Sequence, residues 1–271
     1  MIVQTAPEGQ DPLVIEQLEH AALAGRLGAA WGNDGFDELR PRALMLHAIA
    51  HHDEGWDRVD AEIGQDPATG LPYSLVKTPL EKLVQTGARG AQLGESHHPY
   101  CGLLVSLHTY GLYHGRLGLS DKLFVDSVPE EHRPAVSEML SGEAERQARL
   151  RGSLEGDREL APWVSEQGLM HNYRLLQFFD TLSLYFNCTH DAARGTERFP
   201  RVPQRLDEEV EIEVSRVEAG RYRLEPFPFS EPEVNVTLSG RRLAPQALGT
   251  PMRSALEAAP TETETLTLVA S

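Results

Sequence analysis

The sequence predicts a mainly α protein, a helical bundle that carries a small C-terminal antiparallel β appendage. Apolar residues recur at helical spacing through most of the chain before residue 200. After residue 200 the pattern changes to short alternating segments separated by Gly and Pro. With 271 residues, 40% of them hydrophobic, the chain can bury a sizeable core. We therefore expect an all-helical domain over residues 1–200, with a β meander and tail over residues 201–271 packed on it.

The first predicted helix begins at Pro12, with Asp11 as its N-cap, and ends near residue 31. His20 shares a stripe with Leu23 and Leu27, so it should point inward. A core imidazole hydrogen-bonded to a carbonyl explains His20 as well as a ligand role does.

The second predicted helix runs from near Pro41 into the sequence His-His-Asp-Glu-Gly-Trp at residues 51–56. His52 and Asp53 follow Ala48 and Ile49 by four residues each and inherit the buried side of the helix. Gly55 is expected to end this helix in a left-handed conformation. His47 and His51 form another pair four residues apart, which could bind a metal or lie on a solvated face.

Two later helices each place a polar residue on an apolar face. The helix predicted over residues 100–114 carries His108 on the stripe of Leu104 and Leu112. The helix predicted over residues 162–187 carries Asp180, whose carboxylate needs a cation there, either a metal or an arginine such as Arg174. Helices over residues 79–95 and 127–150 offer no chemistry.

Three alternating segments, residues 210–214, 222–225 and 234–238, predict short antiparallel strands of a meander. The Thr-Glu alternation within residues 251–271 predicts one more edge strand or a frayed tail.

Charge and composition restrict the partners. The formal net charge of -16 opposes binding to nucleic acid or to an anionic membrane. No signal-type segment is visible near Met1, and two cysteines, Cys101 and Cys188, cannot form a disulfide framework. We expect a cytoplasmic protein that acts on a small, anionic molecule. We also expect that it can form a homo-oligomer.

Five polar residues from four helices are thus expected to face inward, namely His20, His52, Asp53, His108 and Asp180. Imidazole and carboxylate side chains together suit a hard or borderline divalent metal, such as Fe, Mn, Zn, Ni or Mg. One or two ions would fit this number of ligands.

The order of these residues resembles the HD-domain superfamily of metal-dependent phosphohydrolases, which have a helical bundle. In that resemblance His20 is the first histidine, His52 and Asp53 are the doublet, and Asp180 is the last aspartate. Trp56 stands where related phosphodiesterases have a lysine. His108 extends the set toward two-metal members, which need a further histidine from among His97, His98 and His171.

The chain is also similar to a bacterial family catalogued as a domain of unknown function. The residues that carry this similarity are His20, the His-Asp-Glu-Gly-Trp run, Ser106-Leu107-His108 and residues 180–184, and it covers most of the chain.

The HD resemblance implies a phosphohydrolase with a metal-activated water, and His51 or Glu54 would relay a proton. Arg26, Arg58 or Arg174 would supply local positive charge. The alternatives are a di-iron oxygenase of the inositol-oxygenase type and a non-catalytic ligand-binding module.

Overall fold

The computed structural model describes residues 1–270. Within that range its helices are α1 (Gln17–Ala29), α2 (Arg42–Ala50), α3 (Asp57–Ala61), α4 (Leu80–His97), α5 (Pro99–Tyr113), α6 (Gly115–Gly118), α7 (Arg133–Leu154), α8 (Ala161–Val164), α9 (Glu166–Cys188) and α10 (Met252–Ala258). Its strands are β1 (Ile2–Val3), β2 (Leu13–Ile15), β3 (Glu197–Arg205), β4 (Glu208–Glu218), β5 (Arg221–Glu225), β6 (Glu233–Arg242) and β7 (Thr261–Val269).

All seven of these strands join one sheet in the order β1-β2-β6-β7-β5-β4-β3. The sheet is mixed, because β5 and β7 run parallel, with Tyr222 opposite Leu268, while the other neighbours are antiparallel. It curls into a half-barrel, and the chain is 50% helical and 20% strand. The prediction of a mainly α, all-helical bundle with a small β appendage is therefore wrong.

The N-terminal segment shows why that prediction failed. Residues 13–15, expected in the first helix, form β2 between β1 and β6 and are fully buried. A Cβ added to Gly240 in β6 would lie 2.8 Å from Cγ of Leu13, so glycine permits the close contact. Three consecutive aliphatic residues fit a doubly buried strand as well as a helix, and only pairing with a distant strand decides between them.

The C-terminal strand has an interior place in the sheet, which contradicts the predicted edge strand or tail. β7 lies between β6 and β5, with Leu266 and Leu268 buried. The edge strands are instead β1 and β3. Strand β3 contains Pro200 and Pro203 and has two irregularities in its pairing with β4. Proline is tolerated at a sheet edge, where its missing N–H costs no ladder hydrogen bond.

Helix α9 packs against α1, α2, α5 and β3, and places the site at the centre of the helical layer. One hydrophobic cluster includes buried residues from these helices and from the sheet, for example Tyr173 and Leu224. The division into residues 1–200 and 201–271 stays a prediction. Among the helices of residues 1–270, none has the length and apolar character needed to cross a membrane.

Candidate metal centre

Four helical segments bring the five predicted metal-binding side chains together. His20 lies on α1, His52 and Asp53 in the turn after α2, His108 on α5 and Asp180 on α9. Their ligand atoms form two groups, and within each group the atoms lie within 4.8 Å of one another. One group is His20, His52 and Asp180, and the other is His52, Asp53 and His108. This His/Asp cluster is buried apart from a small exposed fraction of Asp53, and could hold a metal ion.

The turn that carries the doublet is fixed by close packing on α4. Helix α2 ends at Ala50, and Gly55 follows the doublet within a short 3-10 helix. A Cβ on Gly55 would lie 2.0 Å from the carbonyl oxygen of Thr86 and 2.6 Å from the nitrogen of Gly90. The predicted left-handed Gly55 is wrong, because its φ is not positive. Glycine is needed here because the backbone of α4 leaves no room for a side chain.

His52 directs its Nε2 atom into the cluster. Its Nδ1 lies 2.8 Å from the backbone oxygen of Ile49, which can only accept, so Nδ1 carries the proton. Nε2 is buried without a hydrogen-bond partner, at 3.5 Å from Oδ1 of Asp180 and 3.8 Å from Oδ2 of Asp53. A metal-binding histidine typically has this arrangement, with the other ring nitrogen donating to a carbonyl.

His20 is oriented in a similar way from α9. The hydroxyl of Ser183 donates to the backbone oxygen of Asp180, so its oxygen is free to accept from Nδ1 of His20 at 2.8 Å. The side-chain oxygen of Asn187 lies 3.1 Å from the same nitrogen. Nε2 of His20 then faces Oδ1 of Asp180 at 3.1 Å. Two acceptor atoms this close require a cation or a proton between them.

The pKa values of the cluster also indicate that a cation or a proton is required there. Burial lowers the pKa of His52, but the carboxylates of Asp53 and Asp180 outweigh it and raise the pKa to about 9. Burial raises the pKa of Asp180, but the Arg116 guanidinium overcomes this and holds it well below its usual value. Since a metal ligand must give up its proton, a metal would compete with the proton that these carboxylates favour on His52.

Arg116 is the cation of this site that the sequence analysis missed. Its Nη1 donates to Oδ2 of Asp180 at 2.6 Å and also to the side-chain oxygen of Gln177. It lies in α6, a left-handed turn in which Arg116 and Leu117 have φ of 50° and 51°. A residue other than glycine in this left-handed conformation reduces the free energy of unfolding by about 1 kcal/mol or more, and such residues are most common at functional sites. No helical spacing from His108 could have indicated Arg116, because α5 ends at Tyr113 and the left-handed turn follows.

Within residues 1–270, none of the three arginines named from the sequence makes an ion pair with the cluster. Arg174, the predicted partner of Asp180, pairs with Glu209, and Arg26 pairs with Glu19. Arg58 is exposed on α3.

The predicted proton-relay residues also stand apart from the cluster. His51 and Glu54 are largely exposed and face each other, with Nδ1 and Oε2 3.6 Å apart. In the described part of the chain, no hydrogen bond or ion pair connects either of them to the cluster. The further histidines are also outside, since His97 stacks on His47 and His98 caps α5. His171 packs near Trp163.

Two surface grooves flank the site. One, of about 560 Å³, is lined by residues that include Gly25, Ala50, His51 and Glu54. The other, of about 460 Å³, lies between α9 and β3, and its lining includes Arg116, Arg174, Gln177, Thr181, Arg198 and Arg201. We call the second the arginine groove. It approaches the cluster through Arg116 and Gln177, which contact Asp180 and His108.

The fold and the cluster define an α+β protein with a buried His/Asp group that could hold a metal ion. The chain matches the family described as "Protein of unknown function (DUF3891)" over residues 1–245 and belongs to that family. The similarity to a family of unknown function is thereby confirmed. No curated protein and no solved structure matches the chain. The family carries no assigned activity, and the HD resemblance is not supported by these comparisons.

Proposed function

We propose that this protein is a metal-dependent hydrolase that cleaves a small phosphorylated or nucleotide-like substrate. The observation that carries the proposal is the buried Nε2 of His52, which has no hydrogen-bond partner and faces two carboxylates. His20, His52, Asp53 and Asp180 would hold the ion. A bound divalent ion lowers the pKa of a coordinated water and polarises a phosphoryl oxygen.

The arginine groove is the proposed substrate site. Arg116 uses Nη1 for Asp180 and Gln177, and the structure of residues 1–270 gives its Nε and Nη2 no hydrogen-bond partner. A guanidinium with free N–H groups suits a phosphate oxygen, and an acidic chain needs such a local cation to admit an anion. Trp56, at the position of the lysine in HD phosphodiesterases, is buried. Arg116 therefore replaces that lysine in the proposal.

Metal content tests the proposal most directly. Protein purified without a tag or added metal should retain a divalent ion, measured by elemental analysis. Asp53→Asn should lose it, whereas Glu54→Gln, the adjacent isosteric change outside the cluster, should keep it. Less than about a tenth of an ion per chain in the unaltered protein, even after incubation with Mn²⁺, Zn²⁺ or Fe²⁺, would overturn the proposal.

Turnover then tests the reaction class. Loaded protein should hydrolyse p-nitrophenyl phosphate or its diester, and Arg116→Lys should retain more of this activity than Arg116→Met. A metal-loaded protein that hydrolyses no phosphoester in a broad set of nucleotides and sugar phosphates would contradict the phosphohydrolase assignment while leaving the metal site standing.

A di-iron oxygenase is the second candidate, because Asp53 and His108 form a second ligand group beside His20 and Asp180, and Nε2 of His52 could complete either one. Iron at about two ions per chain together with substrate-dependent oxygen consumption would favour it over hydrolysis.

A further inference from the structure

Three polar side chains, of which Gln177 and His108 are buried and Arg116 is partly exposed, form a continuous chain of contacts beside the metal ligands. Arg116 Nη1 donates to the side-chain oxygen of Gln177. The side-chain nitrogen of Gln177 lies 2.7 Å from Nδ1 of His108. Gln177 and His108 are 1% and 3% exposed, so water does not replace these contacts. The three residues come from α6, α9 and α5.

The first contact fixes the orientation of the Gln177 amide. A guanidinium can only donate hydrogen bonds, so the amide oxygen of Gln177 must face Arg116. Its NH₂ group then faces His108 and can only donate. Nδ1 of His108 therefore accepts, and the proton of the neutral ring lies on Nε2. The reverse amide orientation would place the NH₂ group of Gln177 against the guanidinium of Arg116, and both groups can only donate.

We infer that Gln177, held by Arg116, keeps His108 in the Nε2–H tautomer, so that His108 presents an N–H group to the cluster and does not bind the metal. Its Nε2 lies 4.0 Å from Oδ1 of Asp53, on the inner side of the cluster. His52 and His20 have the opposite arrangement, since their Nδ1 atoms donate to Ile49 and Ser183 and their Nε2 atoms face carboxylates, where a metal would replace a proton. Of these three imidazoles, His108 is thus the one that carries its proton on Nε2 and can donate toward the cluster.

This tautomer has two consequences, which rest on the proposed function. The cluster holds one ion, because a nitrogen that carries a proton cannot be a ligand. The Nε2–H group of His108 remains available to position an oxygen of the bound substrate. Gln177 and Arg116 act through His108 and are positioning residues in this account.

The tautomer can be read directly from ¹⁵N chemical shifts of the imidazole rings in metal-free protein. His108, assigned by comparison with His108→Gln, should show a protonated Nε2 and an unprotonated Nδ1. In Gln177→Glu the carboxylate accepts from Nδ1, so the two nitrogens should exchange their shifts. Gln167→Glu, an exposed change on the same helix, should leave them unaltered. A protonated Nδ1 in the unaltered protein would overturn the inference, whatever its activity.

Metal titration provides the second readout. The unaltered protein should bind about one Zn²⁺ or Mn²⁺ per chain, and Gln177→Glu about two, because His108 then offers a lone pair beside His52 and Asp53. Two ions in the unaltered protein, or one ion in a folded Gln177→Glu, would count against the inference. If Gln177→Glu fails to fold, Gln177→Met provides a second variant, which removes the amide donor. His108 should then shift toward a mixture of its two tautomers. Unchanged ¹⁵N shifts in Gln177→Met would overturn the inference. Absent metal binding with a protonated Nε2 would instead overturn only the proposed function.

Discussion

Nη1 of Arg116 lies 2.6 Å from Oδ2 of Asp180, while Oδ1 of the same carboxylate faces His20 and His52. One oxygen of Asp180 is thus neutralised by a fixed guanidinium, and the other is directed at two imidazoles. A carboxylate shared in this way can bind a cation through one oxygen without losing its orientation.

Replacing Arg116 should destabilise the metal-free protein more than the metal-loaded one. Arg116→Met leaves a buried carboxylate unpaired, at a cost of about 3 kcal/mol, and a bound ion would offset part of this loss. Urea unfolding with and without saturating Mn²⁺ measures both values. Arg174→Met, which breaks the pair with Glu209 away from the cluster, should show no such dependence on metal. Equal losses for Arg116→Met in the two states would argue against Asp180 as a ligand.

Removing the hydroxyl of Ser183 should weaken metal binding about tenfold, the lower end of the usual effect of residues that orient a ligand. Without this hydroxyl, His20 keeps only Asn187 to hold its ring. Competition with a chelating dye gives the dissociation constant. Thr181→Ala, on the same helix, removes a hydroxyl that bonds only to backbone oxygens and should leave affinity within about twofold. Similar losses in both variants would mean that Ser183 acts through helix stability.

Gly55→Ala should reduce both stability and metal affinity. The new methyl group would overlap the backbone of α4 at Thr86 and Gly90, which cannot move as a side-chain end would. The expected loss is about 1–3 kcal/mol, together with displacement of Asp53. Gly142→Ala, where a Cβ meets nothing within 4 Å on α7, should instead stabilise by up to about 1 kcal/mol. Thermal unfolding and metal titration of the pair provide the measurement, and a neutral Gly55→Ala would contradict the packing account.

Acid should destabilise the protein partly through His47, whose ring stacks on His97 at 3.4 Å and on His51 at 4.2 Å. Burial, with the neighbouring His51 and His97, lowers the pKa of His47 from 6.5 to about 4. As the pH falls, His47 is therefore protonated in the unfolded chain before it is protonated in the folded protein. The stability that is present above pH 6.5 is lost as the pH falls toward 4. His47→Asn should lose less stability than the unaltered protein between about pH 7 and pH 4.5, measured by urea midpoints. An equal loss of stability in His47→Asn and in the unaltered protein over this pH range would exclude His47 as a source of the acid sensitivity.

The helical periodicity of the sequence was sufficient to find the cluster. His20, His108 and Asp180 share stripes with buried leucines, and a polar residue on such a stripe must face the same interior as its neighbours. Convergence of the side chains then follows because helices of one layer bury their apolar faces against one another.

Arg116 and most of the sheet were not predictable from local patterns. Arg116 reaches Asp180 only through a left-handed turn, which no hydrophobic period records. β2 has only three residues, and β3 contains two prolines, which are uncommon in strands. The position of β7 depends on pairing with β5 and β6, which are distant in sequence, and strand propensity gives no partner.

Strand β7 has nine residues and lies inside the sheet, so two neighbouring strands depend on it. β7 is hydrogen-bonded to β6 on one side and to β5 on the other. Proteolytic loss of this segment would therefore divide one sheet into two and leave the facing edges of β5 and β6 open. Open edges pair with other chains, so a clipped molecule should self-associate into β-rich aggregates before its helical layer unfolds.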